Sequence, residues 1–298
     1  MTGLLFIILA CVLWAADTLI RYPLLGEGLT TYQIVLSEHL ILVLIFSPML
    51  FKARQVFWSL RVSDLFSFVV IGGLGSALAT LAFTQAFLLV NPSLVILLQK
   101  LQPLVAILLA RILLKESLHK GFWPWAGVCL IGGILVSWPD LMGLTKLNWG
   151  TKLLGERYLL GYGLTLVAVV SWGSSTVFGK RLVNRGLSEP EVMGGRFVFG
   201  LLFLLPFMSS YENQLDFELE IWGKIAVMVL LSGWLGMFFY YKGLTRISAK
   251  VCALAEMFFP LCAVSINWIF LDAKLSTLQI VGAGLLLLGP TVIQLKRY

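Results

Sequence analysis

The sequence predicts an all-α integral membrane protein, with ten transmembrane helices arranged as two inverted five-helix repeats. Three observations predict it. Apolar residues make up 59% of the chain and charged residues 12%, far from the averages of soluble proteins. Apolar stretches of about 20 residues, each long enough to cross a bilayer, recur along the whole length. The second half also repeats the landmarks of the first. Trp14 matches Trp172, Gly28 matches Gly186, Thr30 matches Ser188 and Gln33 matches Glu191. Further on, Pro103 matches Pro260, Gly127 matches Gly284 and Gly132 matches Gly289, in a register shifted by one residue.

The spans fall at about 3–21, 32–51, 65–87, 92–114, 122–138, 159–179, 190–208, 222–242, 250–271 and 275–295. The first lacks a basic segment before it and carries Asp17 and Arg21 in its outer part, so it reads as a retained helix and not as a signal peptide. The second opens on the capping box Thr30-x-x-Gln33, and the seventh on Ser188-x-x-Glu191. The third is marked by Gly72, Gly73, Gly75, Ser76 and Ala79, small residues that let backbones touch in lipid. Gly132 and Gly133 in the fifth span and Gly282 and Gly284 in the tenth do the same. Such faces serve packing inside one bundle or a homodimer contact, so monomer and homodimer both fit. The first repeat covers 1–138 and the second 159–298, with 139–158 an outer linker read as a solvated loop.

Five spans per copy is an odd number, so the second copy is inverted. The charge distribution agrees. With the N-terminus in the cytoplasm, the inner loops hold Lys52, Arg54, Arg61, Lys115, Lys120, Lys180, Arg181, Arg185, Lys242, Arg246, Lys250, Lys296 and Arg297, while Glu212, Asp216, Glu218 and Glu220 lie outside. That is the positive-inside pattern, and it puts both termini in the cytoplasm. It also accounts for the net charge of +7 without a nucleic-acid partner, because no basic face interleaves with exposed aromatics. The partner is the lipid bilayer. Cys11, Cys129, Cys252 and Cys262 all fall in apolar spans without metal-ligand spacing, so no metal or cofactor is expected.

The segment from Asn91-Pro92-Ser93 through Leu101-Gln102-Pro103, then Arg111 to Glu116, Gly127 and Gly132-Gly133, resembles the first EamA-type repeat. Ala249-Lys250 through Pro260, with Gly282, Gly284 and Gly289, resembles the second. The chain as a whole is similar to the drug/metabolite transporter superfamily. It departs from the repeat pattern at Asp272-Ala273-Lys274, where the first copy has Lys115-Glu116-Ser117. The resemblance implies a ten-helix fold with a central cavity lined mainly by the first four helices of each repeat. It also implies carriage of small metabolites, commonly outward, across a bacterial inner membrane.

Ionised side chains at mid-membrane are costly and mark functional positions. Five are candidates: Asp17, Glu38, Lys100, Arg196 and Glu256. Asp17, Glu38 and Lys100 are placed nearer the outer side, and Arg196 and Glu256 nearer the inner side. The repeat matches Glu38 with Arg196, and Gln99 beside Lys100 with Glu256. A Glu38–Lys100 pair and an Arg196–Glu256 pair would then close the two sides with exchanged signs, or stitch helices permanently. Asp17 has Ser175 at its matching position and no evident cross-helix partner, although Arg21 is four residues on and suited to pair with it. An acid there suits alternate binding of a proton and an ammonium group. Trp14 shares its face, Trp172 is the repeat mate, and Tyr240 is a further aromatic for a pocket, as are Trp234, Phe238, Tyr241 and Trp268.

Inverted repeats with a site at their interface mark secondary transporters. The substrate expected from acids, bases and tryptophans is an amino acid or related zwitterion or amine, exported by alternating access with proton coupling. A lipophilic organic cation and an anionic metabolite are the alternatives. No P-loop is present to drive a pump. With two histidines and no HExxH or paired-aspartate motif, an enzyme is not expected. Paired charges argue against an open channel.

Overall fold

The computed structural model describes residues 2–114, 120–145, 152–210, 215–244, 246, 258–272 and 274–296. It is an all-helical bundle. Among the described residues, eight helices are long and apolar enough to cross a membrane, and two shorter apolar helices follow them. We number them α1 Thr2–Gly26, α2 Thr31–Lys52, α3 Val62–Phe87, α4 Pro92–Leu109, α5 Phe122–Thr145, α6 Lys152–Asn184, α7 Glu189–Leu204, α8 Leu219–Tyr240, α9 Phe258–Phe270 and α10 Thr277–Lys296.

The repeat is legible in local geometry. Both expected capping boxes form, at Thr30 with Gln33 and at Ser188 with Glu191. Gly28 and Gly186 just before them have φ of 94° and 96°, a left-handed turn conformation that only glycine adopts without cost. The third helix of each repeat contains a wide-turned π-segment, Val69–Leu78 in α3 and Val229–Gly236 in α8. Such segments are rare and collect at functional sites.

The two repeats are interleaved. α3 packs against α6 and α7, and α8 against α1; α2 meets α7, and α5 meets α10. Glycines set the closest approaches. A Cβ on Gly72 would lie 2.7 Å from the Arg196 carbonyl and 2.9 Å from Gly200 N on α7. Gly132 of α5 and Gly282 of α10 each leave no room for a Cβ beside the other's carbonyl. Gly72, Gly132 and Gly282 are therefore used inside the bundle, whereas Gly284 is exposed with nothing near its Cβ position.

Two boundaries differ from expectation. α1 continues to Gly26, which carries Arg21 well inside the helix. The linker is not a simple loop: residues 139–145 prolong α5 and 152–158 open α6.

Candidate functional site

An ion cluster inside the bundle is built around Arg21. α1 places Asp17 and Arg21 one turn apart, on one face. Arg21 Nε donates to Asp17 Oδ2 at 2.6 Å and Nη2 to Asp17 Oδ1 at 3.1 Å. Nη2 also donates to Glu38 Oε2 of α2 at 3.1 Å, and Nη1 to Thr84 Oγ1 of α3 at 3.3 Å. The side chains are 6% exposed for Arg21, 14% for Asp17 and 12% for Glu38. A planar guanidinium with five N–H donors can serve two carboxylates and a hydroxyl at once. The second repeat completes the cluster. Ser232 Oγ of α8 lies 2.7 Å from Asp17 Oδ1 and 2.9 Å from the Met228 carbonyl.

Two expectations are thereby corrected. Glu38 takes Arg21 as its ion-pair partner and not Lys100, because Arg21, one turn from Asp17 on α1, places its guanidinium between the two acids. Asp17 does have a cross-helix partner, Ser232, and it also forms the expected contact with Arg21. α2 and α7 meet at this point, where His39 and Phe197 pack edge to face with ring centroids 6.1 Å apart. His39 itself turns away from Glu38, with Nε2 2.9 Å from Ser76 Oγ. Glu256, and with it the Arg196–Glu256 pair, lies outside the described residues.

Each π-segment gives a backbone carbonyl to a side chain of the other repeat. Arg196 Nη2 of α7 donates to the Gly75 carbonyl in α3 at 2.7 Å. Trp14 Nε1 of α1 donates to the Ser232 carbonyl in α8 at 3.0 Å. Ser175, the repeat mate of Asp17, is buried and sits against Gly75 where Asp17 sits against Ser232. The same junction is thus made twice, once charged and once small and neutral.

An aromatic group adjoins the cluster. Trp14 packs on Tyr240 of α8 with centroids 5.4 Å apart and meets the edge of Phe259 of α9 at 6.5 Å. The Lys100 ammonium, in the tight 3-10 turn Gln99–Leu101 of α4, stands 5.4 Å from the Phe259 centroid, within cation–π range.

The pattern of the EamA-like transporter family matches residues 1–138 and 159–295. The chain belongs to the EamA-like transporter family. It is an integral membrane transporter, not an enzyme. Among relatives, it is 31% identical to Riboflavin transporter ImpX of Fusobacterium nucleatum subsp. nucleatum, over 96% of this chain and 95% of that protein. It is 24% identical to Uncharacterized transporter YyaM of Bacillus subtilis, over 78% of this chain and 75% of that one. A crystal structure with 16% identity superposes over 99% of this chain and 96% of its own with a TM-score of 0.64, which shows the fold alone.

The remaining residues of this EamA-like transporter divide as follows. Trp172 packs on Phe83 with centroids 5.0 Å apart, among small residues of α3 and α6 and away from Trp14. Gln99 has a buried side-chain oxygen without a partner among the described residues. Trp234, Phe238 and Trp268 are exposed, and the Tyr241 side chain lies outside the described residues. The spacing of Arg21 to Asp17 signals their contact in the sequence, whereas Thr84, Ser232 and Phe259, which join the cluster and the ring group, carry no charge and no motif.

Proposed function

We propose that this protein is a secondary transporter of a planar heteroaromatic metabolite of the riboflavin kind, working by alternating access. The observation that carries the reading is the ring group of Trp14, Tyr240 and Phe259 where α1, α8 and α9 meet, with the Lys100 ammonium above Phe259. Aromatic faces suit a flat ring system, and an ammonium suits its carbonyl oxygens. The full-length likeness to a riboflavin transporter supports the same substrate class. Asp17 and Glu38 are engaged by Arg21, so an ammonium-bearing substrate would have to displace a built-in cation.

The amino-acid or amine reading is the second. It is favoured by the presence of two carboxylates, Asp17 and Glu38, on one guanidinium, a set with spare acceptor capacity for a cation. Proton coupling belongs to Asp17 in either case. The Ser232 hydroxyl can donate to an ionised Asp17, or accept from a protonated one while donating to the Met228 carbonyl. The orientation is that of the charge bias, with both termini cytoplasmic in a bacterial inner membrane, residues 139–158 outside, and outward transport.

Riboflavin binding to the purified protein, followed by quenching of flavin fluorescence, tests the substrate class. Saturable quenching is expected, weakened by Tyr240→Ala and by Phe259→Leu. No saturable quenching, together with thermal stabilisation by an amino acid or an organic cation, would select the second reading.

A further inference from the structure

Asn267 of α9 is 0% exposed, and among the described residues neither its amide nitrogen nor its amide oxygen has a hydrogen-bond partner. A buried amide with both ends unmet is costly. Native interiors seldom leave one in that state without a use for it.

The position of Asn267 suggests the use. α9 packs against α1 and against the first half of α4. Phe259, Ala263 and Asn267 recur every fourth residue and so share one helix face. Phe259 shows where that face points, with its ring edge-on to Trp14 of α1 and below Lys100 of α4. Ala263 on the same face is 0% exposed, whereas Leu261, Trp268 and Ile269 on the other faces are exposed. Asn267 therefore lies in the seam between α9, α1 and α4, about 12 Å along the helix axis from Phe259.

A carboxamide presents an N–H donor and a carbonyl acceptor side by side. Its complement is a ring edge with an N–H next to a C=O, as in a cyclic imide. The pyrimidinedione end of a flavin has that edge, and the length of a tricyclic ring system is of the order of the Phe259–Asn267 separation.

We propose that Asn267 reads the imide edge of the substrate, whose other end lies against Trp14 and Phe259. The inference rests on the flavin reading above and names the residue that gives it specificity. The seam is sealed in this conformation, so substrate reaches Asn267 when α9 parts from α1 and α4 during the cycle.

The test compares riboflavin with riboflavin methylated on its imide nitrogen, which lacks the N–H. Both are titrated against the purified full-length protein and its Asn267→Ala variant. Wild type should bind riboflavin about tenfold tighter than the methylated compound. Asn267→Ala should bind the two alike, and its unliganded thermal stability should hold or rise, because an unmet buried amide has been removed. An Asn267→Ala protein that keeps the wild-type preference overturns the inference and leaves the substrate class intact. So does one that loses unliganded stability with the preference unchanged, which is the behaviour of a purely structural residue. Absence of riboflavin binding to wild type overturns the flavin reading itself, and the inference with it.

Discussion

Glu27 and Arg185 occupy the same place in the two repeats and reach across to the opposite repeat with opposite charge. Glu27, in the turn after α1, holds the Lys224 ammonium of α8 at 2.8 and 3.0 Å. Arg185, in the turn after α6, pairs with Asp64 of α3 and donates to Ser63 Oγ at 3.0 Å. The register that carries Trp14 to Trp172 carries Glu27 to Arg185. Sign exchange between the repeats is therefore real, but it sits at the helix ends and not where Glu38 and Lys100 were expected to meet. Each tie fastens a π-containing helix to the first hairpin of the other repeat.

The two ties differ in burial, so they should differ in worth. The Asp64 side chain is 7% exposed and also accepts from the Arg61 backbone N–H at 3.1 Å, whereas Glu27 is 39% exposed. Asp64→Asn should destabilise the protein by about 2 kcal/mol, the scale of a hydrogen bond to a charged group. Glu27→Gln should have little effect, as for most exposed pairs. Thermal unfolding of the two variants in detergent checks this, and an equal loss in both would contradict it.

Arg21 carries the ion cluster. Arg21→Gln leaves Asp17 and Glu38 facing each other in a desolvated site, and breaking a buried pair costs about 3–5 kcal/mol. Loss of transport and a marked fall in Tm are expected. Adding Asp17→Asn should recover part of the stability without transport. Wild-type Tm and flux in Arg21→Gln would remove the cluster from the mechanism.

The junction at Gly75 has no spare room. A Cβ there would strike the Ser175 side chain, so Gly75→Ala should cost about 1–3 kcal/mol by overpacking. Ser175→Gly on that background should restore much of it. If the double variant unfolds no later than Gly75→Ala, the α3–α6 contact is not the reason.

The bundle itself was legible in the sequence because lipid imposes a length and a composition on every span. The capping boxes and the Gly28 and Gly186 turns were equally readable, since they are local chemistry. The partners of the charges were not. Glu38 pairs with Arg21, and sequence alone does not fix that choice over Lys100, because it depends on how the helices are rotated against one another. Asp17 needed the α8 backbone to bring Ser232 to it, a contact across 215 positions of sequence. Asn267 carries no charge and belongs to no motif, although a lone carboxamide in an apolar span is also out of place.

Orientation is open to a direct check. A cysteine at Gln55 should react with an impermeant maleimide only after the cells are opened, and one at Glu218 should react in intact cells. The alternating basic loops predict this, and the reverse pattern would invert the topology.

On the proposed reading, a flavin-like substrate crosses the membrane through this chain. Flux of labelled riboflavin in proteoliposomes, with and without a pH gradient, measures it. Saturable, time-dependent flux that responds to the gradient, is lost in Arg21→Gln and no longer follows the gradient in Asp17→Asn is the predicted result. Folded wild-type protein that moves riboflavin no faster than empty liposomes, under either condition, would contradict it.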